Sequence, residues 1–425
     1  MGQTIAEKIL AAHAGKTGVV PGEMVDVELD LIVGNDASTP IAVKQIETYG
    51  LLDKVAHPSK IYLALSHYSP AKDINTASHI QLTKRFADRY PEVTVFPEGY
   101  GIEHVIIPEE GLVGAGDLVI GADSHTCTYG AVGAFATGVG STDMAAAMVT
   151  GKTWMKVPET QKFVYTGKKR PFFTGKDLVL YLIRQLGVDG VTYQVMEHAG
   201  EALLDFTMEE RLTIANMAIE AGGKTGIVSY DEVTERYLAG RAKRAYRPTF
   251  ADADAMYAAV YEWDISDLEP QVAKPNLPSN TVDVSSVEGL SMDQVYIGSC
   301  TNGRISDLRA AAAIMKGRKV NSNLRTIVVP GSKAVYQQAL REGLIDIFLE
   351  AGALVGPPSC GACFGGSMGI LAPGDRCLST TNRNFTGRMG AATAEVYLSN
   401  PSVAAATAVT GKITHPAEVA HEPVL

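Results

Sequence analysis

The chain has 425 residues, 46% of them hydrophobic and 20% charged, with a formal net charge of −10. That length suits two or three domains with ample core, and the acidic balance argues against a nucleic-acid binder, which needs a basic face. Five cysteines, an odd number, point to a reducing compartment and not to a disulfide scaffold.

The opening MGQTIAEKILAAHAG reads as an amphipathic helix with Ile5, Ile9 and Leu10 on one side. It carries Glu7 and lacks a secretory apolar core, so no export or transit signal is expected here. No run approaches the ~20 apolar residues of a membrane span, and the expected location is cytoplasmic. Residues 25–40, VDVELDLIVGNDASTP, alternate as a strand and then turn polar. A helical piece at 41–49 precedes the β-like KIYLALSHYSP, which ends near Ser66 and His67. Next come the helix INTASHIQLTKRFADRY, the short strand VTVF, the loop EGYGIEHVIIPEEG and the strand DLVIGADSHT at 117–126. The glycine-rich stretch that follows fails as a dinucleotide fingerprint, because Asp143 stands where the third glycine belongs. Its glycines suit close packing of helix on strand.

From about 160 to 280 the pattern restarts. TMEERLTIANMAIEAGG reads as a helix opened by a capping box of Thr207 and Glu210. Asn216 and Glu220 share a face of it, solvent-facing if taken alone, an oxygen-donor pair if a metal lies near. LEPQVAKPNLPSN, at 268–280, holds three prolines and reads as an interdomain linker. The last section repeats the strand–loop–helix order through QVYIGSC, TIVVPGS, ALVGPPSC and RCLSTTNRNFTGR, with no internal sequence repeat visible. Three α/β domains are expected, at 1–160, 161–280 and 281–425, with mainly parallel sheets covered on both faces.

The chemically interesting residues sit where strands end: Ser66–His67, Asp123–Ser124–His125, Ser299–Cys300, Cys360 and Asn382–Arg383. Ligands bind beyond the carboxyl ends of strands in open parallel sheets, so these clusters are expected to meet in one cleft. Cys360 and Cys363 form a C-x-x-C, and Cys300 is a third thiol. Three thiolates on an iron–sulfur cubane leave one iron open as a Lewis acid. On spacing alone a zinc site completed by Cys127 or Cys377, a redox dithiol and inert buried thiols all stay open. The histidines, carboxylates and arginines suit reversible addition of water across a carboxylated alkene, which needs an acid, a base and carboxylate grips. Arg383 and Arg388 in NRNFTGR are candidates for the grip.

GADSHT, IGSCTNGR, PSCGAC and TTNRNFTGR, in this order from 121 to 388, resemble the aconitase superfamily, nearest to its two-subunit branch acting on isopropylmalate and homoaconitate. The resemblance spans nearly the whole chain and implies three α/β/α domains around a central cluster cleft. It implies a 4Fe-4S cluster on Cys300, Cys360 and Cys363, with Cys127 and Cys377 as packing residues. It implies catalytic roles for His67, His104 (paired with Asp123), Asp123, His125 and Glu220, and substrate binding by Asn35, Ser124, Arg383 and Arg388. Asn216 and Asn382 are implied to lie by the cluster, and Asn35 is followed by Asp36 as in the family. One departure stands out: Ser66 occupies the place of an aspartate that charges the neighbouring histidine, so the support of His67 is expected to be weaker.

The implied activity is a hydro-lyase interconverting 2-isopropylmalate and 3-isopropylmalate in leucine synthesis, with homoaconitate, citraconate or methylmalate, and 2,3-dimethylmalate as alternative substrates. Single-chain relatives carry a further swivelling domain, for which the sequence to Leu425 leaves no room, so a separate small subunit is expected in a heterodimer or heterotetramer. A cluster-sensing RNA-binding regulator is the contrasting reading; acidity and the missing domain argue against it. A zinc-bound structural protein is the third. No nucleic acid and no membrane are expected as partners.

Overall fold

The structure is a computed structural model that describes residues 2–420; Met1 and residues 421–425, the outer ends of the first and third expected domains, lie outside it. The opening helix forms at Ile5–His13, started by the reciprocal Thr4–Glu7 hydrogen bonds of a capping box. The alternating segment after it is two strands, not one. β1 (Met24–Glu28) buries Val25 and Val27 only, whereas β2 (Leu31–Asn35) is buried along its whole length. The first belongs to an edge ribbon with one wet face, the second to the middle of a parallel sheet covered on both faces.

That sheet contains β2, β3 (Ile61–Ala64), β4 (Thr94–Phe96), β5 (Leu118–Gly121) and β6 (Phe135–Gly138), all parallel, in the order β4-β3-β2-β5-β6. The strand expected at 117–126 stops at Gly121; Ser124–Val132 winds into a 3-10 helix whose first turn is capped by the Asp123 carboxylate. β7 (Lys152–Lys156) returns to pair antiparallel with β1. A second parallel sheet holds β8 (Thr160–Thr166), β9 (Val195–Ala199), β10 (Thr225–Val228) and β11 (Ala259–Asp264), ordered β10-β9-β8-β11.

The third sheet corrects the linker reading of 268–280. Gln271–Ala273 forms β12, fully buried, because its short apolar run lies between the prolines and not among them. It pairs antiparallel with β13 (Thr281–Asp283) and with β18 (Glu395–Leu398), so the third sheet starts inside the span expected for the second domain. With β14 (Gln294–Ile297), β15 (Arg325–Val328), β16 (Leu354–Val355) and β17 (Arg376–Ser379) the order is β13-β12-β18-β17-β14-β15-β16.

Counted from the first parallel strand of each, all three sheets share the order third-second-first-fourth, and the first and third continue to a fifth strand. The strand order reverses beside β2 and β5 in the first sheet and beside β14 and β17 in the third. Those reversal points open crevices at the carboxyl ends of the strands, and the segments leaving them carry Asn35, Asp123, Cys300 and Asn382. One apolar core runs from the second sheet into the third through Phe163, Tyr165, Tyr296 and Leu398. Another joins Val33 and Val119 of the first sheet to Met208, Leu212 and Ala215 of the helix Met208–Asn216. Each such fully buried apolar side chain contributes about 1.5–3 kcal/mol, so the crevices are held in register by shared hydrophobic packing.

Candidate active site

Cys300 leaves β14 through a strained turn. Gly298 has φ 157° and Ser299, not a glycine, sits at φ 80°, a conformation that persists only when its surroundings hold it. Cys360 caps the short 3-10 turn Gly361–Phe364 after β16, and Cys363 lies within it. Tyr296 of β14 donates its hydroxyl to the Cys360 carbonyl at 3.0 Å. A side chain at Gly361 would strike that hydroxyl, its Cβ falling 2.2 Å from Oη. The three thiols come from distant parts of the sequence, are nearly inaccessible (3%, 4% and 2% exposed), and line one cavity of about 220 Å³.

Polar donors point at the sulfurs. Asn216 Nδ2 donates to Cys300 Sγ at 3.2 Å, Asn382 Nδ2 to the same sulfur at 3.4 Å, and the Ser299 hydroxyl to Cys363 Sγ at 3.5 Å. Such donors favour the thiolate form. Asn382 also donates to Asn216 Oδ1 at 3.1 Å, tying the two amides together. Cys127 and Cys377 do not line the cavity: the first donates to the Asn216 carbonyl at 3.2 Å, the second is a core residue of β17. A single zinc ion with Zn–S bonds of about 2.3 Å would draw its sulfurs to within ~4 Å of one another. Among the described residues, the set whose ligating atoms all lie within 4.8 Å is His67, Glu103 and Asp123, not the cysteines. Three soft donors, dry, hydrogen-bonded and spread wider than one ion requires, fit a polynuclear iron–sulfur centre.

The acid–base groups face the thiols across the cavity. His67, His104, Asp123, Ser124, His125, Asn35, Arg383 and Arg388 line it with the cysteines, as convergence of strand ends predicts. Glu220, Asn216 and Asn382 stand one layer behind. Asn216 and Glu220 are not solvent-facing; they are 0% and 3% exposed, because their helix runs into a 3-10 turn at Met217–Ala221 that turns both inward. Glu220 accepts from His125 Nε2 at 2.9 Å and from Arg383 Nε at 2.7 Å. Asp123 accepts from His104 Nε2 at 3.0 Å and from the His125 backbone at 2.8 Å. Burial alone would raise the Asp123 carboxyl, but hydrogen bonds from His104, His125 and His67 hold it well below its ordinary range. Burial and Arg383 pull His125 down, and its bonds to Asp123 and Glu220 outweigh them and raise it.

His67 is the group for which the sequence left weaker support. Burial disfavours its charge, yet Glu103, Asp123 and Asp36 overcome that and push its pKa up to about 10. Asp36 grips the segment by accepting backbone N–H groups of Ser66, His67 and Tyr68 at 3.1, 2.8 and 2.8 Å. Glu103, which sequence reasoning passed over, is 1% exposed and reaches Ser66. Its only signal was a carboxylate beside His104 in GIEH. Arg388 differs from Arg383 in being uncommitted: its Nε is buried without a hydrogen-bond partner, and among the described residues no carboxylate pairs with it. A half-buried guanidinium whose Nε is enclosed without an acceptor is prepared for a ligand carboxylate.

The family model described as Aconitase family (aconitate hydratase) matches residues 7–411. The chain is 56% identical over 424 residues to a protein of Aquifex aeolicus named 3-isopropylmalate dehydratase large subunit, covering 99% of this chain and 98% of that one. A protein of the same name from Hydrogenobaculum is 56% identical with 99% of each chain covered. In Pyrococcus furiosus, 3-isopropylmalate dehydratase large subunit 1 is 54% identical, covering 98% of this chain and 99% of that one. Among solved structures, aconitase X of Thermococcus kodakaraensis in its holo form matches with a TM-score of 0.50 at 14% identity, over 89% of this chain and 88% of that one, a likeness of fold.

Proposed function

The chain belongs to the aconitase family, and from that footing we propose that it is the large catalytic subunit of an iron–sulfur hydro-lyase that interconverts 2-isopropylmalate and 3-isopropylmalate in leucine synthesis. The observation that carries this reading is the meeting, in one cavity, of three buried thiols with a histidine flanked by carboxylates and an arginine without an acceptor. Cys300, Cys360 and Cys363 would hold a 4Fe-4S cluster, with Asn216 and Asn382 donating to its sulfur ligands. Bound there, the cluster supplies a Lewis acid for the substrate hydroxyl at its one iron without a thiolate.

The rest belongs to the protein's own residues. Arg388 takes a substrate carboxylate in its free guanidinium edge, with Arg383, anchored by Glu220, alongside. His67, charged between carboxylates, gives its Nε2 proton to the departing hydroxyl and reclaims it on rehydration at the neighbouring carbon. His104–Asp123 and His125–Glu220 form two buried pairs that fix the imidazoles and hold protons in reach of the cavity, with Asn35 and Ser124 on its wall. A small subunit carrying the swivelling domain closes the cleft and supplies the base for the carbon-bound proton. The name large subunit borne by relatives of matching length supports that partner. The cytoplasm is the proposed location, in keeping with five unpaired cysteines.

The test is anaerobic purification with iron and sulfide analysis, followed by a turnover screen with the small subunit added. Close to four irons and four sulfides per chain, lost in a Cys300→Ser variant, and turnover of 2-isopropylmalate ahead of homoaconitate, citraconate and 2,3-dimethylmalate are expected. Zinc without iron would overturn the cluster, and a different preferred hydroxy acid would overturn the substrate.

A further inference from the structure

We propose that Glu103 is the anionic positioning residue of His67, acting through the hydroxyl of Ser66, so that the charge next to this histidine, in the loop after β3, is supplied from the helix Glu103–Glu109. The inference rests on the reading of His67 as the proton donor to the leaving hydroxyl. Ser66 Oγ lies 2.8 Å from Glu103 Oε2 and 3.0 Å from His67 Nδ1. A hydroxyl has one proton to give. The carboxylate can only accept, so Ser66 donates to Glu103 and presents a lone pair to the imidazole. His67 Nδ1 therefore carries hydrogen and donates to Ser66, and the opposite nitrogen, Nε2, is left for chemistry, 3.4 Å from Asp123 Oδ2.

Glu103 is held for this task. Asn35 Nδ2 donates to its Oε1 at 2.6 Å, and the orientation of that amide is fixed from the other side. Asn35 Oδ1 accepts from the backbone of Ala37 at 2.9 Å and from the backbone and hydroxyl of Ser38 at 3.0 and 3.1 Å. The carboxylate is 1% exposed, and the only basic side chains within 4 Å of it among the described residues are imidazoles: His67 Nδ1 at 3.8 Å and His104 Nε2 at 3.7 Å. His104 is already engaged, by Asp123 at one nitrogen and by the Tyr129 hydroxyl at 3.1 Å at the other. A buried carboxylate without arginine or lysine is tolerable only beside a charged partner, and His67 is the one left to it. Around His67 the charged and titratable groups are Asp36, Glu103 and Asp123 on the acidic side, with His104 beyond Asp123 and with His125, Arg383, Arg388 and the thiols of Cys300, Cys360 and Cys363 along the cavity wall; the Phe364 ring packs edge-on at 5.2 Å. Serine at position 66 thus does not leave the imidazole without a countercharge; the countercharge is one hydroxyl further away.

The experiment uses the cluster-loaded enzyme with its small subunit and compares wild type, Glu103→Gln, Ser66→Asp/Glu103→Gln and His67→Gln. Glutamine keeps an acceptor for Ser66 and removes the charge. Glu103→Gln is expected to lower kcat by about 30-fold, less than the roughly 100- to 10,000-fold that general acid catalysis supplies in full, with KM within about twofold. Its basic limb in the pH–rate profile should move down by about one pH unit or more. Placing the charge directly beside Nδ1 in the double variant should restore most of kcat and return the limb upward, a rescue that a merely structural role would not give. Melting curves identify any variant that fails to fold, in which case Glu103→Asp, which keeps the charge, should retain the wild-type profile. A folded Glu103→Gln enzyme with wild-type kcat and pH profile, beside an inactive His67→Gln, would overturn this inference alone. Near-wild-type turnover by His67→Gln would overturn the reading it rests on.

Discussion

Arg388 shows how much a single side chain reveals by what it lacks. Its neighbour five residues back, Arg383, is neutralised by Glu220 at 2.7 Å, while the Arg388 Nε is buried with no acceptor. A buried donor left unpaired costs about 1–3 kcal/mol, a cost that a bound carboxylate returns. Arg388→Lys keeps a charge but loses the fork that meets two oxygens at once. Steady-state kinetics of that variant should give a KM higher by about 10–100-fold with a smaller loss in kcat, since ground state and transition state share the carboxylate contact. Both arginines are equally plain in the sequence, and their different roles are not, because the partner that separates them, Glu220, is 163 residues away. Glu103 was missed for the same reason. Its effect passes through Ser66, 37 positions earlier, and no local pattern joins the two.

At the scale of elements, the strand ends were readable and their surroundings were not. Alternation and short apolar runs located β2, β3, β5, β14 and β17, and the polar residues just beyond them do line one cavity. The alternating segment at 25–40 concealed two strands of different sheets, since Asp30 in the turn between them continues the period of β1. That turn also ties down the first helix. His13 donates Nδ1–H to the Ile9 carbonyl and Nε2–H to Asp30, both at 2.7 Å, so two acceptors flank the ring and it is held as the cation. Burial opposes this charge, but the Asp30 bond and the Ile9 carbonyl raise His13 above 6.5, and the same bond helps to hold Asp30 below 3.8. The histidine's contribution is present in full below pH 6.5 and is lost as pH rises through its raised value; the aspartate's is present above pH 3.8 and is lost as pH falls through its lowered one. The pair is partly exposed, at 16% and 26%, so its worth is about 1 kcal/mol. Urea unfolding of His13→Ala should differ from wild type most between about pH 4 and 6.5 and converge with it at higher pH.

Lys176 ties elements together across sheets. It starts the helix Gly175–Leu186, is wholly buried, and donates to the carbonyls of Thr380 and Thr381 at 3.0 and 2.5 Å, just before Asn382. No carboxylate pairs with it among the described residues, and burial pulls its pKa down to about 7, with the carbonyls at the end of β17 as its acceptors. Lys176→Met strips two buried carbonyls of their donor while sparing a desolvated charge, and the first effect should prevail by about 1–3 kcal/mol. Denaturant midpoints measured on the metal-free chain check the loss. Iron released per hour from the loaded chain should also rise, because the turn presenting Asn382 to Cys300 is freed. The sequence GKDL at this helix start gives no hint of this, as Lys at a first turn ordinarily reaches into water.

On the scale of the whole molecule, the shared third-second-first-fourth strand order of the three sheets explains why one cleft can draw on all of them. No repeat is visible in the sequence, because burial pattern and connection length specify this order, and many side chains satisfy both. The first sheet contributes His67 and Asp123, the second region Asn216 and Glu220, and the third the cysteines and Arg383 and Arg388. The rim of the cavity is less finished than its interior. Ile41 lines it yet is 49% exposed. An apolar side chain at the mouth of so polar a cavity is what an interface core needs and what a solvent-facing rim does not. If the small subunit closes over it, Ile41→Glu should leave the chain's melting curve and iron content unchanged, since the side chain is not part of a core. The concentration of small subunit giving half-maximal turnover should rise by about 10–100-fold, the range for losing a well-packed anchor. At saturating small subunit, kcat should return close to wild type, because the residue touches the partner and not the reacting groups. A titration that instead shows lower kcat at unchanged half-saturation would assign Ile41 to the substrate pocket and move the docking face elsewhere on the rim.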